Sequence, residues 1–226
     1  MRRTFIRSGL IAALFLGASV PVAFTLMFVV AENLPRHGGW ATVAGFGFLL
    51  GGLFLGGALW GRSVAGAVGA QQPLRLSVLT GLTFSLATLS AAAVLGKLEV
   101  VFVEEQRAGA IPVHLVFAVL FTAAAFVVAA VVALVIGRSV GGWRPALNLA
   151  WWTGLASAGA FLLADIVQDL LGRRVGGPNA EATATMITVM VIGNLLAAFT
   201  GGGVMVTRLA PAPQSRADFE AAPVRA

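Results

Sequence analysis

The chain has 226 residues, 58% of them hydrophobic and 11% charged, with a net charge of +6 and a mean hydropathy of +0.93. An ordinary soluble domain is about 45–50% apolar and about 25% charged, so this composition excludes a soluble globular enzyme and marks an all-α, polytopic membrane protein. Zero cysteines remove disulfides, thiolate metal sites and cysteine nucleophiles together.

Reading from one charge to the next predicts six transmembrane helices, over about 8–31, 38–61, 76–96, 112–137, 145–164 and 182–207. Each run reaches the roughly 20 residues that a helix needs to cross ~30 Å of hydrocarbon. Residues 1–209 then form one membrane domain, and 210–226, rich in Pro, small residues and mixed charge, a disordered tail.

Arg2, Arg3 and Arg7 ahead of an apolar run also suit a signal peptide, but the run continues through Phe24 to Val30, which predicts an uncleaved first span. Pro21 lies inside that span and predicts a packed kink. In the second span Gly47, Gly51, Gly52, Gly56, Gly57 and Gly61 fall at overlapping GxxxG spacings, a candidate helix-packing face within the chain or between chains. Pro73 precedes the third span, whose far end, Leu98 to Gln106, is too acidic for lipid and too apolar for a free loop. That segment is expected to continue the helix or to lie along the interface.

Pro112 precedes the fourth span, Pro145 opens the fifth and Pro178 precedes the sixth, positions where a missing N–H costs nothing. Trp40, Trp60 and Trp143 fall at span ends and are expected to be interface anchors. The candidate intramembrane polar residues are Asn148 and Asn194, beside the indoles of Trp151 and Trp152. Asn194, near the middle of the sixth span, is the most suggestive of them.

Two local matches suggest an internal repeat. Gly61-Arg62-Ser63-Val64 resembles Gly137-Arg138-Ser139-Val140, and Ser8-Gly9-Leu10, Thr80-Gly81-Leu82 and Thr153-Gly154-Leu155 recur at separations of 72 and 73 residues. Three tandem helical hairpins in one orientation are expected, around a pseudo-threefold axis along the membrane normal.

Placing both termini in the cytoplasm puts ten basic residues inside and five outside, the arrangement that the positive-inside rule favours. Fourteen of the fifteen basic residues are Arg, which fits a GC-rich bacterial genome and hence a bacterial inner membrane. Scattered at span ends, these residues are topology signals and no nucleic-acid surface.

No ionisable residue lies deep in any span, and the two histidines, His37 and His114, stand near the outer surface, so no haem, retinal, metal or other cofactor is expected and no catalytic constellation is visible. Acids collect at the outer face. Glu99, His114, Asp165, Gln168 and Asp169 form a candidate outer vestibule that would attract a cation, against the simpler expectation of a solvated surface with local ion pairs. The composition thus points to a non-catalytic subunit or scaffold of a membrane assembly, in the lipid bilayer with partners of its own or another kind. A small transporter or channel for a cation or small solute is the alternative.

Overall fold

A computed structural model describes residues 2–33, 40–106, 113–175 and 181–209. The described residues are almost wholly helical: α1 (Arg2–Ala12), a π-helical turn (Ala13–Gly17), α2 (Ser19–Asn33), α3 (Trp40–Val68), α4 (Pro73–Gln106), α5 (Val113–Gly141), α6 (Trp143–Val175) and α7 (Glu181–Leu209). Six spans are long and apolar enough to cross a membrane, the first made of α1, the π turn and α2. Helix is the one open structure that satisfies every backbone polar group within the segment when no water is at hand.

The helices outrun several of the expected boundaries, α6 among them, which continues past 164 to Val175. The second span runs on past Gly61 to Val68, because Arg62 is exposed at the helix surface and does not end the helix. The third continues as α4 through Leu98 to Gln106, the first of the two courses expected for that segment. A π turn, Ala13–Gly17, precedes Pro21, the position at which a kink is expected. Proline has no N–H for the Gly17 carbonyl and its ring crowds that oxygen. The wider turn takes up the strain, with Ala18 N–H donating to the Ala13 oxygen at 2.9 Å and the Ser19 hydroxyl donating to the Leu16 oxygen at 2.9 Å.

Two of the connections are tight. Gly142 alone links α5 to α6 at φ +89°, and Gly69, at φ +65°, turns the chain after α3; a side chain would be strained at both. Arg62, Arg75, Arg138, Arg144 and Arg208 flank these turns and the end of α7, so together with Arg2, Arg3 and Arg7 they gather at one end of the bundle.

The spans form a closed ring in chain order. Each packs on the next, and α7 returns to α1 and the π turn. Glycine lets the helices approach: Gly52 lies against Ala23, Gly57 against Gly81, Gly137 against Ala146 and Gly17 against Leu195. Where one hairpin meets the next, a phenylalanine ring covers a glycine. A Cβ on Gly9 would stand 2.9 Å from ring carbons of Phe199, one on Gly81 2.9 Å from the same carbons of Phe54, and one on Gly154 2.8 Å from Phe126.

Only 17–39% of each span is buried within the protein, and large apolar side chains such as Phe46, Leu50, Leu55 and Leu163 point outward, where lipid must cover them. The interior is correspondingly small, centred on Trp60, Leu49, Leu53, Ile136 and Met205.

Candidate functional site

At the centre of the ring is a chamber of about 160 Å³ to which every span contributes, for example Gly17 of the π turn, Trp60 of α3, Thr88 of α4, Val128 of α5, Thr153 of α6 and Asn194 of α7. It is comparable to an engineered cavity of about 150 Å³ that admits benzene. None of the described residues that line it is ionisable.

Trp60 is the largest fully buried side chain, at 0% exposure. It stands two turns inside the end of α3, and Gly202 of α7 makes room for its ring, since a Cβ there would lie 3.3 Å from the indole edge. This corrects the expectation of an interface anchor. Trp143, by contrast, is exposed and carries the Arg138 guanidinium 5.3 Å above its ring, as an anchor at a span end does.

The chamber's polar groups are of two kinds. The Ser157 hydroxyl donates across to the Ala197 carbonyl oxygen of α7 at 2.9 Å. The Trp60 indole nitrogen and the Thr88 and Thr153 hydroxyls are buried without any hydrogen-bond partner among the described residues. Threonine in a helix has a ready acceptor four residues back, and Thr80, Ser85, Thr200 and Thr207 all use it. Thr88 and Thr153 do not, nor does Thr122, which lies outside the chamber lining. Each buried group left so costs about 1–3 kcal/mol, an expense that a partner entering the chamber would remove for those that line it.

Among the residues singled out from sequence, Asn194 lines the chamber, half-buried. Asn148 does not line the chamber: it is exposed near the start of α6, where Arg208 donates to its Oδ1 at 3.2 Å. Trp151 and Trp152 are likewise exposed rather than buried, Trp152 lying 4.7 Å beneath the Arg208 guanidinium. Asp165 is half-buried on α6, one turn beyond the chamber residue Phe161. The side chains of the other vestibule candidates, Glu99, His114, Gln168 and Asp169, lie outside the described residues.

The glycines of α3 do not form one face. Gly52 and Gly56 turn to the first span and Gly57 and Gly61 to the third, while a Cβ on Gly47 or Gly51 would meet no described residue within 4 Å.

Sequence reasoning missed Trp60, Thr88 and Thr153 because none is ionisable and each fits an ordinary role in an apolar helix. The usable signal was positional, in that Trp60 lies only two residues from Arg62 yet nine residues short of a turn glycine, Gly69. Compared with protein-family models, with curated proteins and with solved structures, the chain matches none.

Proposed function

We propose that this protein is a small transporter of the facilitator type, which passes neutral solutes with an apolar body and a hydrogen-bond acceptor through its central chamber. The observation that carries this reading is the set of three unpartnered polar groups, on Trp60, Thr88 and Thr153, among the residues of a chamber that all six spans line. Indole N–H only donates, and a hydroxyl donates or accepts, so the complement is a carbonyl, amide or hydroxyl. The absence of charge among the described lining residues supports a neutral solute over the cation considered from sequence, and these residues supply no proton-coupling group.

An internal threefold repeat, with its axis through the chamber, belongs to the same proposal. The Gly9, Gly81 and Gly154 contacts with Phe199, Phe54 and Phe126 support it, since both triplets recur at 72 and 73 residues. In that register Trp60 corresponds to Val132 and Met205, and Thr88 to Leu16 and Phe161, all of them lining residues. Two of the three unpartnered groups thus stand where a single hairpin departs from apolar equivalents. The Gly61 to Val64 match with 137–140 falls one helical turn outside this register. The arginine-rich end is assigned to the cytoplasmic side of a bacterial inner membrane on the positive-inside rule, with both termini there.

The test is osmotic swelling of proteoliposomes in glycerol and in acetamide, with protein-free vesicles as reference. The protein should speed swelling in at least one of them, and Thr88→Val with Thr153→Val should remove most of the increment. Swelling no faster than that of protein-free vesicles in both solutes would sink the proposal. A second reading, a non-catalytic subunit of a larger assembly, is supported by Gly47 and Gly51 with the exposed Phe46 and Phe48, which offer another helix an approach from outside the ring.

A further inference from the structure

At its arginine-rich end the ring is not uniformly closed. α1 leans on α7, and it is the π turn and α2 that bring the first span onto α3. A cleft therefore opens between the start of α1 and the end of α3, lined by Arg3, Thr4, Arg7, Ser8, Arg62 and Ser63.

Arg3 and Arg7, one turn apart, share a face of α1, and Arg62 joins them from α3. Like charges brought around one cleft repel unless an anion joins them. Other arginines of this end are engaged: Arg75 with the Gln72 side chain at 3.2 Å, Arg138 with Trp143, and Arg208 with Asn148 and Trp152. Arg3, Arg7 and Arg62 have no such partner among the described residues. A second observation points the same way. Ser8 is only 8% exposed, lines the cleft and makes no hydrogen bond to a described residue, although serine in a helix can bond the carbonyl one turn back.

We propose that this cleft binds the phosphate of an anionic phospholipid, with the three guanidiniums and the Ser8 hydroxyl as donors. Guanidinium forks match phosphate oxygens in geometry and charge. The cleft lies at the end of two membrane spans, where lipid headgroups would meet it, and the outward faces beside it are apolar, with Ile6, Leu10 and Leu59 exposed to take the acyl chains. A bound lipid would tie α1 to α3 where the chain itself leaves them apart. The site is independent of any solute in the central chamber.

The experiment is native mass spectrometry of the full chain in detergent, titrated with phosphatidylglycerol and with phosphatidylcholine, thermal melts confirming that each variant is folded. One tight phosphatidylglycerol adduct is expected, and no comparable phosphatidylcholine adduct. Arg3→Gln with Arg7→Gln and Arg62→Gln should weaken it about 100-fold, at roughly fivefold per arginine near a lipid surface. Ser8→Ala, which leaves the charge unchanged, should weaken it about tenfold. Arg75→Gln with Arg138→Gln and Arg144→Gln removes the same charge from the same end and should change it by less than about threefold. An equal loss in that control set would overturn the site in favour of diffuse attraction, as would full binding by Ser8→Ala. Displacement of the lipid by millimolar inorganic phosphate would overturn the lipid as its ligand.

Discussion

Thr80 and Thr88 stand on the same face of α4, two turns apart, and are treated in opposite ways. Thr80 is fully buried, donates to the Leu76 carbonyl oxygen at 2.7 Å and packs against Gly61 of α3. Thr88 is 9% exposed, lines the central chamber and donates to no described residue. The first belongs to a seam in which glycine and back-bonded hydroxyls let two helices close on each other; the second belongs to a space in which a polar group is kept at a cost to stability. Walls and chamber use the same residue types, and what separates them is whether the neighbouring helix is near enough to leave no room for a further molecule.

The largest effect that would break this contrast is on the wall. A Cβ on Gly57 would lie 2.9 Å from the Gly81 Cα and 3.0 Å from the Thr80 oxygen, both backbone atoms that cannot swing aside. Gly57→Leu should therefore cost about 3 kcal/mol or more, read as a lowered unfolding midpoint in detergent, because overpacking a tight contact has no cheap relaxation. A midpoint unchanged by Gly57→Leu would show that α3 and α4 are not held at this distance.

Next in size is a pair of opposite sign. Thr88→Val removes an unpaired buried hydroxyl and should raise stability by about 1 kcal/mol while lowering acetamide permeability. Thr80→Val, in a satisfied seam, should lower stability by about 0.5–1 kcal/mol and leave permeability unchanged. If both variants move stability the same way, the distinction between seam and chamber fails.

The smallest effect concerns the outer face of α3. Gly51→Leu meets nothing within 4 Å and should change the stability of the isolated protein by less than about 0.5 kcal/mol. The same substitution tests the subunit reading, because loss of a co-purifying partner with Gly51→Leu, at unchanged stability, would favour assembly over transport.

Much of the fold was legible because lipid imposes few choices. Charge-to-charge intervals located six spans, and Pro73 and Pro145 stand at or near the starts of α4 and α6 as their missing N–H requires. The site was far less legible. Reading for ionisable residues led to Asp165 and its neighbours, whereas the described chamber is neutral. Trp60 passed for an anchor because Arg62 is close by; an arginine can reach the helix surface from inside a span's end, and its position in sequence does not say where the neighbouring helices stop. Six of the glycines of α3 read as one face, yet a ring gives each helix two neighbours, and Gly52 and Gly56 turn to one of them while Gly57 and Gly61 turn to the other.

By itself, then, the sequence determined a membrane-spanning helical protein, the number of its spans and the end at which its arginines collect, since hydropathy and charge act locally against a bilayer. Only the tertiary structure decided that α7 closes on α1, that Trp60 faces inward and Trp152 outward, and that Thr88 is left unpaired where Thr80 is not. Between helices in lipid the hydrophobic effect gives no direction; contact is settled by close fit of small and large side chains from distant parts of the chain, and that fit is a property of pairs no local pattern encodes.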